Sequence, residues 1–168
     1  KIGPIIAGLG LFGVAVALGA QDLFKNLISG ILVLVEKRFK IGDWISAQGV
    51  DGTVKEISIF TTKLSTFGNQ VAVIPNGQLS NNTIINYNAL DTRRDKIDVG
   101  IGYGSNIKQA KDILLAICND SATILKEPIP EVYVGELADS SVNLTLRFWV
   151  NNPDFWAAHF HVLEETKY

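Results

Sequence analysis

The stretch Gly8-Leu9-Gly10-Leu11-Phe12-Gly13-Val14-Ala15-Val16-Ala17-Leu18-Gly19-Ala20-Gln21 decides how this chain is organised. It lies within twenty residues, Ile2 to Gln21, that carry no charge. At about 1.5 Å per residue, a helix of that length reaches roughly 30 Å, the thickness of a bilayer's hydrocarbon core. A secretory signal would show a basic start, a shorter apolar region and a small-residue cleavage site. The run is therefore expected to be a membrane helix, residues 1–21. With no methionine in the chain, Lys1 is not a native start, and the protein is expected to continue upstream.

The small residues are placed with a pattern. At about 100° per residue, Gly10, Gly13, Ala17 and Ala20 share one side, and Gly8, Ala15 and Gly19 share another. Between them runs a stripe of Ala7, Leu11, Val14 and Leu18; opposite lie Ile5, Leu9, Phe12 and Val16. Each glycine costs a helix roughly 1 kcal/mol against alanine, and a lone helix gains nothing in return. Small faces let membrane helices approach closely. Two of them suit a helix with an identical neighbour on each side, in a ring whose axis the stripe faces. Leu11, Val14 and Leu18 then form an apolar constriction, which closes by expelling water and opens by widening. No charge lies near its narrowest part, so weak ion selectivity is expected. The competing reading is a helix packed inside a monomeric bundle.

After Ala20 the pattern changes. Asp22, Lys25, Asn26, Ser29, Glu36 and Lys37 recur as one polar stripe that Val33 interrupts, and large apolar residues cover the rest. This predicts an amphipathic interfacial helix over 22–39, entered through a kink at Gln21–Asp22, with Gly30 as a second weak point. Lys25, Lys37, Arg38 and Lys40 follow the span closely, which places this side in the cytoplasm.

Residues 40–90 read as short strands punctuated by Gly42-Asp43, Gly49 to Gly52, Phe67-Gly68-Asn69 and Pro75-Asn76-Gly77, suggesting a small all-β, barrel-like domain of about five strands. Residues 91–168 read as strand, helix, strand, strand, helix, an α+β ferredoxin-like (split β-α-β) order. The helix over 106–119 should bury Ile107, Ala110, Ile113, Leu114 and Ile117. Asp91-Thr92-Arg93-Arg94-Asp95 is expected to be the joint between the modules.

These residues, taken in order, resemble a known family. The Gly/Ala-rich helix runs into Gln21-Asp22-Leu23-Phe24-Lys25-Asn26-Leu27-Ile28-Ser29-Gly30. Arg38-Phe39-Lys40-Ile41-Gly42-Asp43-Trp44-Ile45, Gly52-Thr53-Val54 and Ile74-Pro75-Asn76-Gly77 follow. The set is similar to the small-conductance mechanosensitive channel (MscS-like) family over essentially the whole chain. The resemblance implies a homoheptamer in the bacterial inner membrane, opened by tension, that releases ions and small solutes in hypo-osmotic shock. It also implies that the β and α/β modules form a cytoplasmic vestibule. The family's two bulky sealing residues, usually leucines, match Val14 and Leu18. Some members carry a glycine at the bend where this chain has Asp22.

Composition excludes other classes. The chain is 47% hydrophobic and 19% charged with a net charge of −2 and a mean hydropathy of +0.21, which gives no reason to expect nucleic acid. One cysteine, Cys118, allows no internal disulfide. Gly100-Ile101-Gly102-Tyr103-Gly104 lacks the third glycine of a dinucleotide loop, so no cofactor is expected. His159 and His161 point to different sides of one helix and do not share a metal. Asp43 and Asp51 look like turn residues, and Cys118 like a core residue. The remaining alternatives to a tension-gated channel are a membrane-anchored oligomeric scaffold or sensor, or a channel gated by another stimulus. No catalytic constellation is present, and the partners expected are the lipid bilayer, further copies of the chain and permeating solutes.

Overall fold

The computed structural model describes residues 2–167; Lys1 and Tyr168, the outer limits of the first and last expected segments, lie outside them. The chain divides between Ala89 and Leu90 into two compact units.

The first unit begins with α1 (Gly3–Glu36), a single helix of 34 residues with Pro4 in its first turn. Pro is tolerated there because its missing N–H would be unsatisfied anyway. The helix assignment runs unbroken through Gln21, Asp22 and Gly30, where the sequence suggests two helices joined by a kink. Any bend at those positions is one that the hydrogen-bond ladder absorbs. At about 1.5 Å per residue α1 is roughly 51 Å long, well beyond the thickness of a hydrocarbon core. Its two ends accordingly have different surroundings. The apolar window that could cross a membrane has no residue buried within the chain, whereas Ser29, Gly30 and Val33 are buried.

β1 (Trp44–Ala47), β2 (Val50–Ile57), β3 (Thr61–Thr66), β4 (Val71–Pro75), the short α2 (Asn76–Asn81) and β5 (Ile84–Asn86) follow. The strands form one antiparallel sheet in the order β4-β3-β2-β1-β5, the five strands expected. Alternation along β1 and β3 turns Ile45, Ala47 and Leu64 inward, where they meet Val54, Leu79 and Phe39. Val33 of α1 joins this core at 1% exposure; the apolar residue that interrupts the polar stripe is the one that anchors the helix. Asp43 is more than a turn residue. Its buried carboxylate accepts from the Lys40 amide at 3.1 Å and from Asn86 Nδ2 at 2.8 Å, tying the entry to β1 onto β5.

The second unit contains β6 (Thr92–Ile101), α3 (Ile107–Asp120), β7 (Glu131–Leu137), β8 (Val142–Asn151) and α4 (Phe155–Glu165). The sheet order is β6-β8-β7, with β8 antiparallel to both neighbours, an order compatible with a split β-α-β arrangement. Leu144, Leu146, Phe148 and Val150 of β8 form the floor on which α3 and α4 pack. Two expectations are corrected. Residues 92–95 are not a joint but the start of β6, with Asp95 buried and its Oδ2 2.8 Å from His159 Nδ1. The buried edge of α3 runs through Leu114 and Cys118, with Ala110 and Ile117 partly covered, and leaves Ile107 and Ile113 exposed. Ile113 is about 100° from Leu114 and falls on the flank of the helix.

Cys118 is fully buried, and burial pushes its thiol up to about 11, only partly opposed by the Lys126 ammonium. That ammonium donates to the carbonyls of Cys118 and Ser121 at 3.2 and 3.1 Å, closing the end of α3. Because the thiolate is the reactive form, maleimide labelling of the folded protein near pH 7.5 should be about a hundredfold slower than for an ordinary thiol. Rapid stoichiometric labelling without denaturant would contradict this burial.

Candidate pore helix and its anchorage

The proposed constriction residues share one side of α1 and are exposed: Leu11 at 74%, Val14 at 58% and Leu18 at 66%. The opposite residues Ile5, Leu9, Phe12 and Val16 are exposed as well. A Cβ built on Gly8, Gly10, Gly13 or Gly19 meets no atom of the chain within 4 Å. Ala15, Ala17, Gln21 and Asp22 are also exposed. Among the described residues, nothing covers this segment. Large apolar surfaces rarely remain open to water, so lipid or further copies must cover it.

The other end of α1 is held tightly. Asn26 Oδ1 accepts from the Gly77 amide at 2.8 Å, and a Cβ on Gly77 would lie 2.9 Å from that oxygen and 3.2 Å from Lys25 Cγ. A Cβ on Gly30 would sit 2.0 Å from the Ile59 carbonyl oxygen and 2.6 Å from Asn76 Nδ2. Gly30 is therefore a close-approach position, where α1 touches the β2–β3 connection with backbone against backbone. Asn76 organises the other side of this contact. It is fully buried; its Nδ2 donates to the carbonyls of Ser58 (2.8 Å) and Ile59 (3.0 Å), and its Oδ1 accepts from Thr62 Oγ1 (2.8 Å). A buried amide with partners for both ends fixes the connection instead of destabilising it.

This anchorage was not apparent from the sequence. Pro75-Asn76-Gly77 reads as a turn, but Pro75 caps α2 and Asn76 starts it. Asn26 and Ser29 read as members of a generic polar stripe, but these two face the β module, while Asp22, Lys25, Glu36 and Lys37 of the same stripe stay exposed. The usable signal was the pairing of short polar residues with glycines at both places, a composition that permits backbone contact. The two histidines diverge, as their spacing implies: His159 meets Asp95, while His161 is exposed.

Comparison with known proteins agrees with this architecture. Residues 22–89 match the family described as "Mechanosensitive ion channel, beta-domain", and residues 95–166 match "Mechanosensitive ion channel MscS, C-terminal". The small-conductance mechanosensitive channel of Edwardsiella ictaluri is 37% identical over 92% of this chain and 54% of its own length. The small-conductance mechanosensitive channel MscMJ of Methanocaldococcus jannaschii is 38% identical over 92% of this chain and 44% of its own. The chain therefore spans about half the length of the curated relatives it matches. The crystal structure of Helicobacter pylori MscS in its closed state superposes with a TM-score of 0.94 at 30% identity, over 99% of this chain and 66% of that one. Two matched domains in order behind an apolar helix, together with near-complete superposition, place the chain in one family: it belongs to the small-conductance mechanosensitive channel (MscS) family.

Proposed function

We propose that the chain supplies the pore helix and cytoplasmic modules of a tension-gated, weakly selective channel. In this reading residues 1–21 line the pore, 22–39 lie along the membrane interface, and 40–90 and 91–168 build a cytoplasmic vestibule. The assembly is a homoheptamer in a bacterial inner membrane, each subunit multi-pass. It passes ions and small solutes during hypo-osmotic shock and has no enzymatic role. The observation that carries the reading is the stripe Leu11, Val14 and Leu18 flanked by two glycine-rich faces whose glycines meet nothing within 4 Å among the described residues. Tension favours states of greater in-plane area. Faces lined by Gly8, Gly10, Gly13, Ala15, Ala17 and Gly19 interlock little, so neighbouring helices can slide and tilt until the apolar ring widens and wets.

The test is patch recording of the complete protein in liposomes under graded suction. Stepwise currents above a reproducible tension are expected. Silence up to membrane rupture, with insertion and oligomer verified, would favour the scaffold or the differently gated channel. The packing faces have their own test. Gly13→Leu should either prevent oligomer assembly or raise the opening tension, because a leucine side chain fills the space that a neighbour's backbone needs. Native-like assembly and an unchanged threshold would remove Gly13 from the helix contact.

A further inference from the structure

We propose that Asp22 gives the open pore a preference for cations, with Lys25 as its weaker opponent. The inference rests on the channel reading and adds a determinant of which ions pass. The helix ladder runs unbroken from Leu18 through Lys25, so azimuths can be followed across this boundary. From Leu18, Asp22 lies about 40° to one side and Lys25 about 20° to the other, at about 100° per residue. Leu11 and Val14 depart from Leu18 by similar angles. The stripe that ends in apolar side chains therefore continues directly into one carboxylate and one ammonium per copy.

Both charges are open to solvent. Asp22 and Lys25 are exposed, and among the described residues neither forms an ion pair. They line, with Asn26, Pro75, Gly77 and Gln78, a cavity of about 200 Å³ beside the start of the anchorage. The stem of Lys25, through Cε, packs toward Gly77, which draws its ammonium toward α2.

Distance decides which sign wins. Asp22 is four residues beyond Leu18, about 6 Å along the axis, and Lys25 is seven residues beyond, about 10.5 Å. The Debye length near physiological ionic strength is about 8 Å. The carboxylates thus sit within a screening length of the constriction, and the ammonium groups, whose stems lie against Gly77, offset them only in part. A ring of acidic side chains at a narrow, low-dielectric mouth concentrates cations. The constriction residues themselves are neutral, so the preference for K⁺ over Cl⁻ should be modest.

The experiment measures the reversal potential of tension-activated currents from the complete channel in liposomes, across a KCl gradient. Wild type should reverse on the cation side. Asp22→Asn should lower the permeability ratio by at least about twofold, Asp22→Glu should keep it, and Lys25→Gln should raise it. A substitution that only disturbed helix geometry would not move the ratio in opposite directions for the two charges. Tension-activated currents whose reversal ignores both Asp22→Asn and Lys25→Gln would overturn the proposal while leaving the channel reading intact. Absence of tension-activated current in wild type would overturn the channel reading, and this proposal with it.

Discussion

Leu18→Ser is expected to lower the tension at which current first appears and to produce leak at rest, the largest functional effect of any single substitution considered. Leu18 closes the stripe at the C-terminal end of the apolar run, and its side chain is 66% exposed. In a closed ring its contacts come from the same residue of neighbouring copies, and what they exclude is water. Removing a buried leucine surface costs roughly 1.5–3 kcal/mol per side chain. Because every copy carries the substitution, the closed state of the proposed sevenfold ring would lose at most about 10–20 kcal/mol. That is an upper bound, since a narrow lumen is only partly dry. Even a fraction of it exceeds the 5.5 kcal/mol or so that inverts a population from 1:99 to 99:1. Val14→Ser should act in the same direction with a smaller effect, because valine presents less surface. The check is the suction threshold of each variant in matched patches. Thresholds unchanged in both would remove these residues from the gate.

The membrane helix, the five-strand β module and the α/β order were legible in the sequence because each rests on periodicity. An uncharged twenty-residue run, turn signals spaced along 40–90, alternation along β8, and the amphipathic pattern of α3 are properties that a single segment displays alone. What escaped was a property of pairs. Asn76 reads as a turn residue until its amide is seen bridging Thr62 and the Ser58–Ile59 carbonyls. The Asn26–Gly77 bond joins positions 51 apart, a separation at which no local pattern carries information. The same limit explains α3: the sequence displays an apolar face but not which edge of it the sheet covers, so Ile113 was expected inside and lies outside. The continuous helix across Gln21 and Asp22 is a further instance. Composition changes there from apolar to amphipathic, and a change of surroundings need not break the backbone ladder.

Gly30→Ala is the second large effect expected, and its sign separates two roles for this glycine. If Gly30 served as a flexible point in α1, alanine would add helix propensity worth about 1 kcal/mol and raise thermal stability. The geometry points the other way. The new Cβ would lie 2.0 Å from the Ile59 carbonyl oxygen, 2.6 Å from Asn76 Nδ2 and 2.9 Å from the Ile59 carbonyl carbon. Two of these three atoms are backbone, so relief requires α1 or the β2–β3 connection to move. Overpacking of that kind costs typically 1–3 kcal/mol, occasionally more. Displacing Ile59 also strains the Asn76 hydrogen bond, whose loss would leave a buried donor short of a partner, at about 1–3 kcal/mol. Set against the propensity gain, a net loss of about 2–3 kcal/mol is expected. For a chain of this size that corresponds to roughly 5–10 °C in Tm, read as the unfolding midpoint of the detergent-solubilised protein. Gly3→Ala is the control: it lies in the same helix outside the packing faces and its Cβ meets nothing within 4 Å, so it should not weaken the anchorage. A Tm for Gly30→Ala equal to or above wild type would show that this position is a hinge and not a contact. A drop confined to Gly30 would show that α1 is clamped to the β module from Asn26 onward, leaving the segment before it as the part free to respond to tension.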